Sequence, residues 1–405
     1  MKKYIRQLVA GFLIICMMLG MLLCVSLFGM SPRVIRAAVN ADGSVAINEE
    51  NFPDEKFRHI ASQYDIDKNQ ILTLAERSVL KNLMLEYVDP VYYQDKTDYD
   101  LIASTLCGPG TAKPEELQVS WRSGKEDHQT LSVKGIEYFP ELQIYRVNGY
   151  DKTEGSLKNN SKLKKIMIGV DDYGGQTTWP CKWANCYRLG QDFPMKQLET
   201  IQIGPDFECS DFSLREAVNL EELQIGVGSK DHIVNPSLLV RIDLSANKKL
   251  KRIWFHGVKV KRLDLSKNTK IQEIKIEGNK YLYDFYKSGK RAGGLYADVS
   301  GACELKLPKS NSLKKLVYMA KNKKLDLTRC KKLSLLKVPS GVQVKFNLKW
   351  YRSYGKKKLI LYTRGTKTKK NIEKKSAKYI FIKTKRMPDR STKNDKYDSQ
   401  PYIHG

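Results

Sequence analysis

Residues 263–276 read LDLSKNTKIQEIKI, and their spacing decides the fold. Within Ile271–Ile276 the order is apolar, two others, apolar, one other, apolar. Side chains alternate along a strand, so Ile274 and Ile276 share one face and Lys275 takes the other. The same hexapeptide recurs as LQIYRV from Leu142, LKKIMI from Leu163, LETIQI from Leu198 and LEELQI from Leu220. It continues as LKRIWF from Leu250, IQEIKI from Ile271, LKKLVY from Leu313 and LSLLKV from Leu333. The steps are 21, 35, 22, 30, 21, 42 and 20 residues, so four lie at 20–22, one is double that, and two carry extra loops. Several copies follow a second signal, as in IDLSANKKL, LKLPKSNSL and LDLTRCKKL. One such turn cannot bury its own apolar side, whereas stacked turns can, so the period predicts a solenoid with a parallel sheet along one face.

These hexapeptides, with the LDLS segments, resemble leucine-rich repeat proteins over Leu131 to Ser340. LDLSKNTKI in particular is similar to bacterial secreted members, many of which begin with a signal peptide and an element like NFPDEKF, found here at 51–57. The resemblance implies an α/β fold leaning to β and a recognition role. It also implies asparagine three residues after the last strand position. Those slots read Tyr150, Asp171, Asp206, Gly228, Val258, Asn279, Lys321 and Gly341, so only Asn279 matches. An irregular array is expected.

The strand residues between apolar positions should form the exposed, partner-binding face. They are Arg146, Met167, Gln202, Gln224, Trp254, Lys275, Val317 and Lys337. Trp254, flanked by Arg252 and His256, has the composition of a binding hot spot. The insertion at 171–194, with Tyr173, Trp179, Trp183 and Tyr187, is a second candidate.

A separate pattern lies at YDIDKNQILTLAE, Tyr64 to Glu76. A calcium-sized cation takes six to eight oxygens, which a twelve-residue loop supplies from alternate positions and a closing glutamate. Those slots are Asp65, Asp67, Asn69, Ile71 through its carbonyl, Thr73 through water, and Glu76. Phe57, Ile60, Ala61 and Tyr64 share one face of a preceding helix, entered through Pro53, Asp54 and Glu55. Leu80, Leu83 and Met84 suit a following helix. The whole resembles an EF-hand, which implies Ca2+. The departure is Gln70 where glycine is usual: a left-handed residue with a Cβ costs about 1–2 kcal/mol. Weak binding, on the order of 10⁻⁴–10⁻³ M, is expected. The alternative is a hairpin that carries no ion.

The opening 41 residues carry Lys2, Lys3 and Arg6, then an uncharged run from Leu8 to Met30, then small residues at Ala37, Ala38 and Ala41. This pattern predicts an export signal, cleaved or kept as a membrane tether, and a secreted or cell-surface protein. Six cysteines follow it, and export permits disulfides. Spacing favours Cys181–Cys186, or either with Cys209; buried thiols are the alternative.

The formal net charge is +27, and residues 301–405 hold 30 Lys and Arg against 6 Asp and Glu. VQVKFNLKW, KLILYT and KYIFIKT in this region predict three strands of a basic β cap. Its lysines suit a solvated sheet edge or contact with an anionic cell-wall or membrane surface. Nucleic acid is disfavoured, since export removes the usual target.

The predicted organisation is therefore a signal or anchor at 1–41, an EF-hand-like helix-loop-helix at 46–86 and a capping region at 87–130. Repeats at 131–340, a β cap at 341–386 and a disordered tail at 387–405 complete it. None of the five histidines stands in a motif with a nucleophile, and no paired-carboxylate or phosphate-loop signature occurs. A Cys181 or Cys186 site with His232 is the one enzymatic arrangement left to set beside a binding role. The reading is a non-enzymatic protein that offers its sheet face to a protein or glycan. The rival is a structural protein held to anionic polymers by its basic end.

Overall fold

The computed structural model describes residues 39–88, 116–122, 130–148, 152–169, 193–204, 213–226, 241–256, 260–277, 280–282, 285–287, 290–292, 296–298, 303–309, 312–318, 324–338, 342–347, 359–363 and 380–383. The chain divides into Met1–Gly43 and Ser44–Gly405. In the first unit, only 39–43 are described, and they hold a turn in which the Gly43 amide donates to Asn40 O at 2.8 Å. No described helix is long and apolar enough to cross a membrane.

The second unit is built on a twelve-stranded parallel sheet. In chain order its strands are β1 (Asn82–Val88), β2 (Glu116–Arg122), β3 (Ile144–Asn148), β4 (Lys165–Ile168), β5 (Thr200–Ile203) and β6 (Glu222–Ile225). They continue with β7 (Arg252–His256), β8 (Glu273–Glu277), β9 (Lys315–Tyr318), β10 (Leu335–Val338), β11 (Leu359–Thr363) and β12 (Ile380–Lys383). From β3 to β12 every strand pairs with its successor. At the other end the order is β3-β1-β2, so the chain steps outward to β2 and returns to β3 on the far side of β1.

Register follows the hexapeptide. Leu83, Tyr145, Ile166, Ile201, Leu223, Ile253, Ile274, Leu316 and Leu336 align across nine strands, and all are buried. Two positions on, Leu85, Val147, Ile168, Ile203, Ile225, Phe255, Ile276, Tyr318 and Val338 are buried too. The leading residues, Leu142, Leu163, Leu198, Leu220, Leu250, Ile271, Leu313 and Leu333, complete the core. A one-residue slip would expose this entire set, so the register is strongly fixed.

All eight hexapeptides form strands, and four more strands join them in the sheet. LKNLML at Leu80–Leu85 carries the hexapeptide itself, so Asn82–Val88 is β1 and not the second helix of an EF-hand. Leu80 and Leu83 suit both periods, and the sheet wins because it also buries Leu85. The helix after the loop is a single turn, α2 (Leu74–Arg77). The region assigned to capping supplies β2. Likewise KLILYT and KYIFIKT are not strands of a separate cap: β11 and β12 add to the same sheet. VQVKFNLKW yields only Gln343–Lys345, paired with Lys324–Asp326 in a minor parallel pair. Equivalent minor pairs join 130–132 to 152–154 and 262–264 to 304–306.

Buried asparagines stitch consecutive turns, and they occupy a slot other than the predicted one. Asn160, Asn247 and Asn268 each lie three residues before the leading apolar residue, and each is fully buried. Asn160 Nδ2 donates to Ile136 O (2.9 Å) and Phe139 O (3.0 Å). Asn247 Nδ2 donates to Leu214 O (2.9 Å) and Ala217 O (2.7 Å). Asn268 Nδ2 donates to Leu244 O (3.0 Å) and Asn247 O (2.8 Å). The bonds satisfy carbonyls that the previous turn would otherwise bury alone. Asn279, the expected match, lies outside the described residues.

The N-terminal element packs on the first turn. Helix α1 (Glu55–Ser62) buries Phe57, Ile60 and Ala61, with Tyr64 just beyond, as its spacing predicts. Asp54 caps α1 through Oδ1, and its Oδ2 accepts from the Ser132 amide at 2.9 Å. Phe52, Phe57, Tyr64, Tyr138 and Phe139 form an aromatic cluster in which Phe52 and Phe57 are tilted and the other pairs meet edge-on. Arg77 Nη1 reaches Tyr138 O at 2.6 Å. Gly135, at φ 104°, lets the backbone pass Phe52, where a Cβ would fall 2.4 Å from the ring.

Candidate functional site

The loop between α1 and α2 brings three of its predicted ligands together. Carboxylate oxygens of Asp65, Asp67 and Glu76 lie within 4.8 Å of one another. The turn that gathers them is made by Lys68 (φ 58°) and Gln70 (φ 62°), so the residue in the glycine slot does adopt the left-handed conformation. Asp65 holds that turn: its Oδ2 accepts from Gln70 N at 2.8 Å and its Oδ1 from Asn69 N at 3.2 Å. Asn69 is shared between neighbours, donating to Asp67 Oδ2 (2.8 Å) and accepting from the Ile71 amide (2.7 Å). Ile71 and Leu72 pair with Val45–Ala46, which fixes the loop's back edge. Thr73, expected to act through water, caps α2: its hydroxyl accepts from Glu76 N and donates to Glu76 Oε2.

Glu76 closes the loop from a buried position. Burial pushes its carboxyl up, but the Thr73 and Ile66 amides and the Thr73 hydroxyl outweigh burial and hold it below the ordinary value. It is therefore ionised at neutral pH. Three carboxylates this close repel one another, and a divalent cation would relieve that. The donor set is hard oxygen throughout, which suits calcium and not a soft-ligand metal.

The second candidate is the sheet face. The predicted row is in register from end to end: Arg146, Met167, Gln202, Gln224, Trp254, Lys275, Val317 and Lys337 each pair with the next. The row is not uniformly exposed, however. Met167, Gln202, Gln224 and Val317 are buried, whereas Arg146, Trp254, Lys275 and Lys337 are partly exposed. Row neighbours at about 4.8 Å on both sides shield the shorter side chains. His256 ends β7, but its side chain lies outside the described residues. So do Cys181, Cys186 and Cys209, and the aromatic insertion from 171 to 192. Cys303 and Cys330, both described, are buried.

Around Trp254 the face is an ordered network. The Lys275 ammonium sits 4.7 Å from the Trp254 ring centroid, within cation–π range. Glu273 lies beneath, 3.6 Å from Lys275 Nζ and 3.8 Å from Lys315 Nζ. On the other side Glu222 accepts from Arg252 Nε at 2.8 Å and also takes Arg252 Nη2 and the Gln224 amide. Sequence reading named Arg252, Trp254 and Lys275 but missed Glu222, Glu273 and Lys315. Their signal was present: each stands two residues before a named face position, and period-2 alternation puts such pairs on one side.

No protein-family profile matches this chain, and no curated protein does. Among solved structures it is similar to an internalin, InlF, from Listeria monocytogenes: 12% identity, 83% of this chain, 96% of that one, TM-score 0.24. It is also similar to the functional domain of InlJ from the same organism: 11% identity, 80% of this chain, 83% of that one, TM-score 0.17. The leucine-rich coil described above stands on this chain's own register and burial.

Proposed function

We propose that this is an exported or cell-surface binding protein that offers the Trp254 side of its sheet to a protein or glycan partner, with a calcium ion bracing the 65–76 loop. The observation that carries the reading is the Trp254–Lys275–Glu273 arrangement. Parallel sheets are ordinarily covered on both faces and read as continuous apolar runs. Here the aligned inward residues of β1 and β3 to β10 are apolar or aromatic, and the other face holds a partly exposed indole among charges. Trp and Arg are the residues most enriched at the energetic centres of protein interfaces. The calcium reading is supported by the convergence of Asp65, Asp67 and Glu76 and by the left-handed Gln70 that closes the turn.

Trp254→Ala tests the face. Binding of the purified wild-type protein and of the variant would be compared on protein and glycan arrays. Capture is expected to fall by about tenfold or more, as for a central hot spot. The melting temperature should stay nearly unchanged, because Trp254 lies outside the core. Capture that persists at full strength would place the partner on another surface.

A further inference from the structure

We infer that the partner of this face is an acidic protein segment, a run of aspartate and glutamate side chains laid across β7 to β10. The inference rests on the binding-face reading above and adds the chemistry of what binds. Its basis is a vertical sorting of charge. Among the side chains described on β6 to β10, the two carboxylates on this face are sunk: those of Glu222 and Glu273 are 5% and 12% exposed. Of the cations they hold, Arg252 and Lys315 stand proud, at 44% and 53% exposed, while Lys275 is 19% exposed. Lys275 is held between Glu273 and the indole, and Lys337 follows in the same row on β10.

The carboxylates thus work as positioning groups. Glu222 is engaged by Arg252 and Gln224, and Glu273 stands between Lys275 and Lys315. An approaching surface therefore meets the Arg252 guanidinium, the Lys315 ammonium and part of the indole, at strand intervals of about 4.8 Å, with Glu222 and Glu273 recessed below them. Opposite charge across an interface speeds encounter and rejects wrong partners, so a basic partner is disfavoured and an acidic one fits. Cations anchored in advance also lose less freedom on binding. A protein is favoured over a polysaccharide because a Trp254 ring face already carries the Lys275 ammonium, and that face is closed as a platform for a sugar ring. Trp beside Arg is, in addition, a protein-interface composition.

The test must separate this face from the basic end, whose excess of lysine would attract any polyanion. A short fluorescein-labelled glutamate-rich peptide would be titrated into the full chain at physiological salt, with heparin as the sulfated-glycan arm. Lys315→Gln/Lys337→Gln is the face variant, and Lys356→Gln/Lys357→Gln/Lys358→Gln removes more charge from the basic end. Peptide affinity is expected to drop about tenfold or more in the face variant and by less than about threefold in the basic-end variant. Thermal melts would confirm that both variants fold. An equal or greater loss in the basic-end variant would overturn the proposal. So would a face variant that weakens heparin and leaves the peptide unchanged, which would make the partner an anionic glycan. Should Trp254→Ala abolish capture on the arrays while the peptide binds the face variant at wild-type strength, the acidic-partner chemistry fails and the face reading survives. Failure of both would remove the face as well.

Discussion

The side-chain amide of Asn268 donates to the main-chain carbonyl of Asn247, 21 residues earlier, at 2.8 Å. The two residues hold the same position in successive turns, and Asn247 makes the equivalent bond to Ala217 O. Both turns are thereby tied to the one before by a buried, directional contact as well as by apolar packing.

Asn268→Ala should therefore cost more than its volume suggests. It leaves Leu244 O without this donor and strips one from Asn247 O in a buried setting. A loss of about 2–3 kcal/mol is expected, read as a lower urea midpoint with an unchanged slope. A loss within error of zero would mean that packing alone sets the spacing of turns.

Gly135→Ala should destabilise the junction of the N-terminal element. The positive φ disfavours any Cβ, and the added atom would meet the Phe52 ring at 2.4 Å and Asn51 O at 2.7 Å. Strain and repacking together predict about 2 kcal/mol or more. Denaturant unfolding followed by near-ultraviolet circular dichroism of the Phe52–Tyr138 cluster would report it.

Calcium should stabilise the wild-type protein, and Glu76→Gln should abolish the effect. The glutamine keeps the shape and removes the charge that closes the loop. Titration to several millimolar, watched by tyrosine fluorescence and thermal melting, tests this, since Tyr64 adjoins Asp65 and packs on Phe139. A wild-type protein indifferent to calcium over that range sinks the ion-binding reading.

Acid should weaken the coil through its repeated Asp-Leu-Ser/Thr corners. Asp243, Asp264 and Asp326 each accept from the amide two residues on, at 2.9 Å. At Asp264, burial pushes the carboxyl up, but Lys306 and Ser266 outweigh burial and hold it at about 2. A folded value below the ordinary carboxyl range of about 3.9 means stability that is present above that range and lost as pH falls from there toward about 2. Asp264→Asn should flatten the fall in urea midpoint between those limits. A variant with the wild-type slope would show that this corner does not contribute.

Much of the coil could be read from the chain because its rule is local. Three apolar positions in six residues dictate both a strand and the face it buries, so all eight hexapeptides formed strands in a common register. LKNLML escaped because Leu80, Leu83 and Met84 also suit a helix, and only pairing with β3 resolves the ambiguity. KLILYT and KYIFIKT escaped because Lys358 and Tyr379 stand where the leading leucine is expected. The asparagines were visible as NSKL, NKKL and NTKI, three residues ahead of the strand core, but were sought on its other side. At the loop, Asp65, Asp67 and Glu76 were legible from spacing alone. Burial of Met167, Gln202, Gln224 and Val317 was not, because shielding by row neighbours depends on strands distant in sequence.

The amide stitching has gaps, and they bear on how the protein comes apart. Met195, Ala217 and Cys330 fill the slot that Asn160, Asn247 and Asn268 fill elsewhere, so those turns do without the buried asparagine, although Asn219 and Ser334 still bond to the main chain of a preceding turn. In a linear array, cooperativity is transmitted only between nearest neighbours. An unfolding front that enters from either end should therefore run faster through the turns without a buried asparagine and slow where one holds.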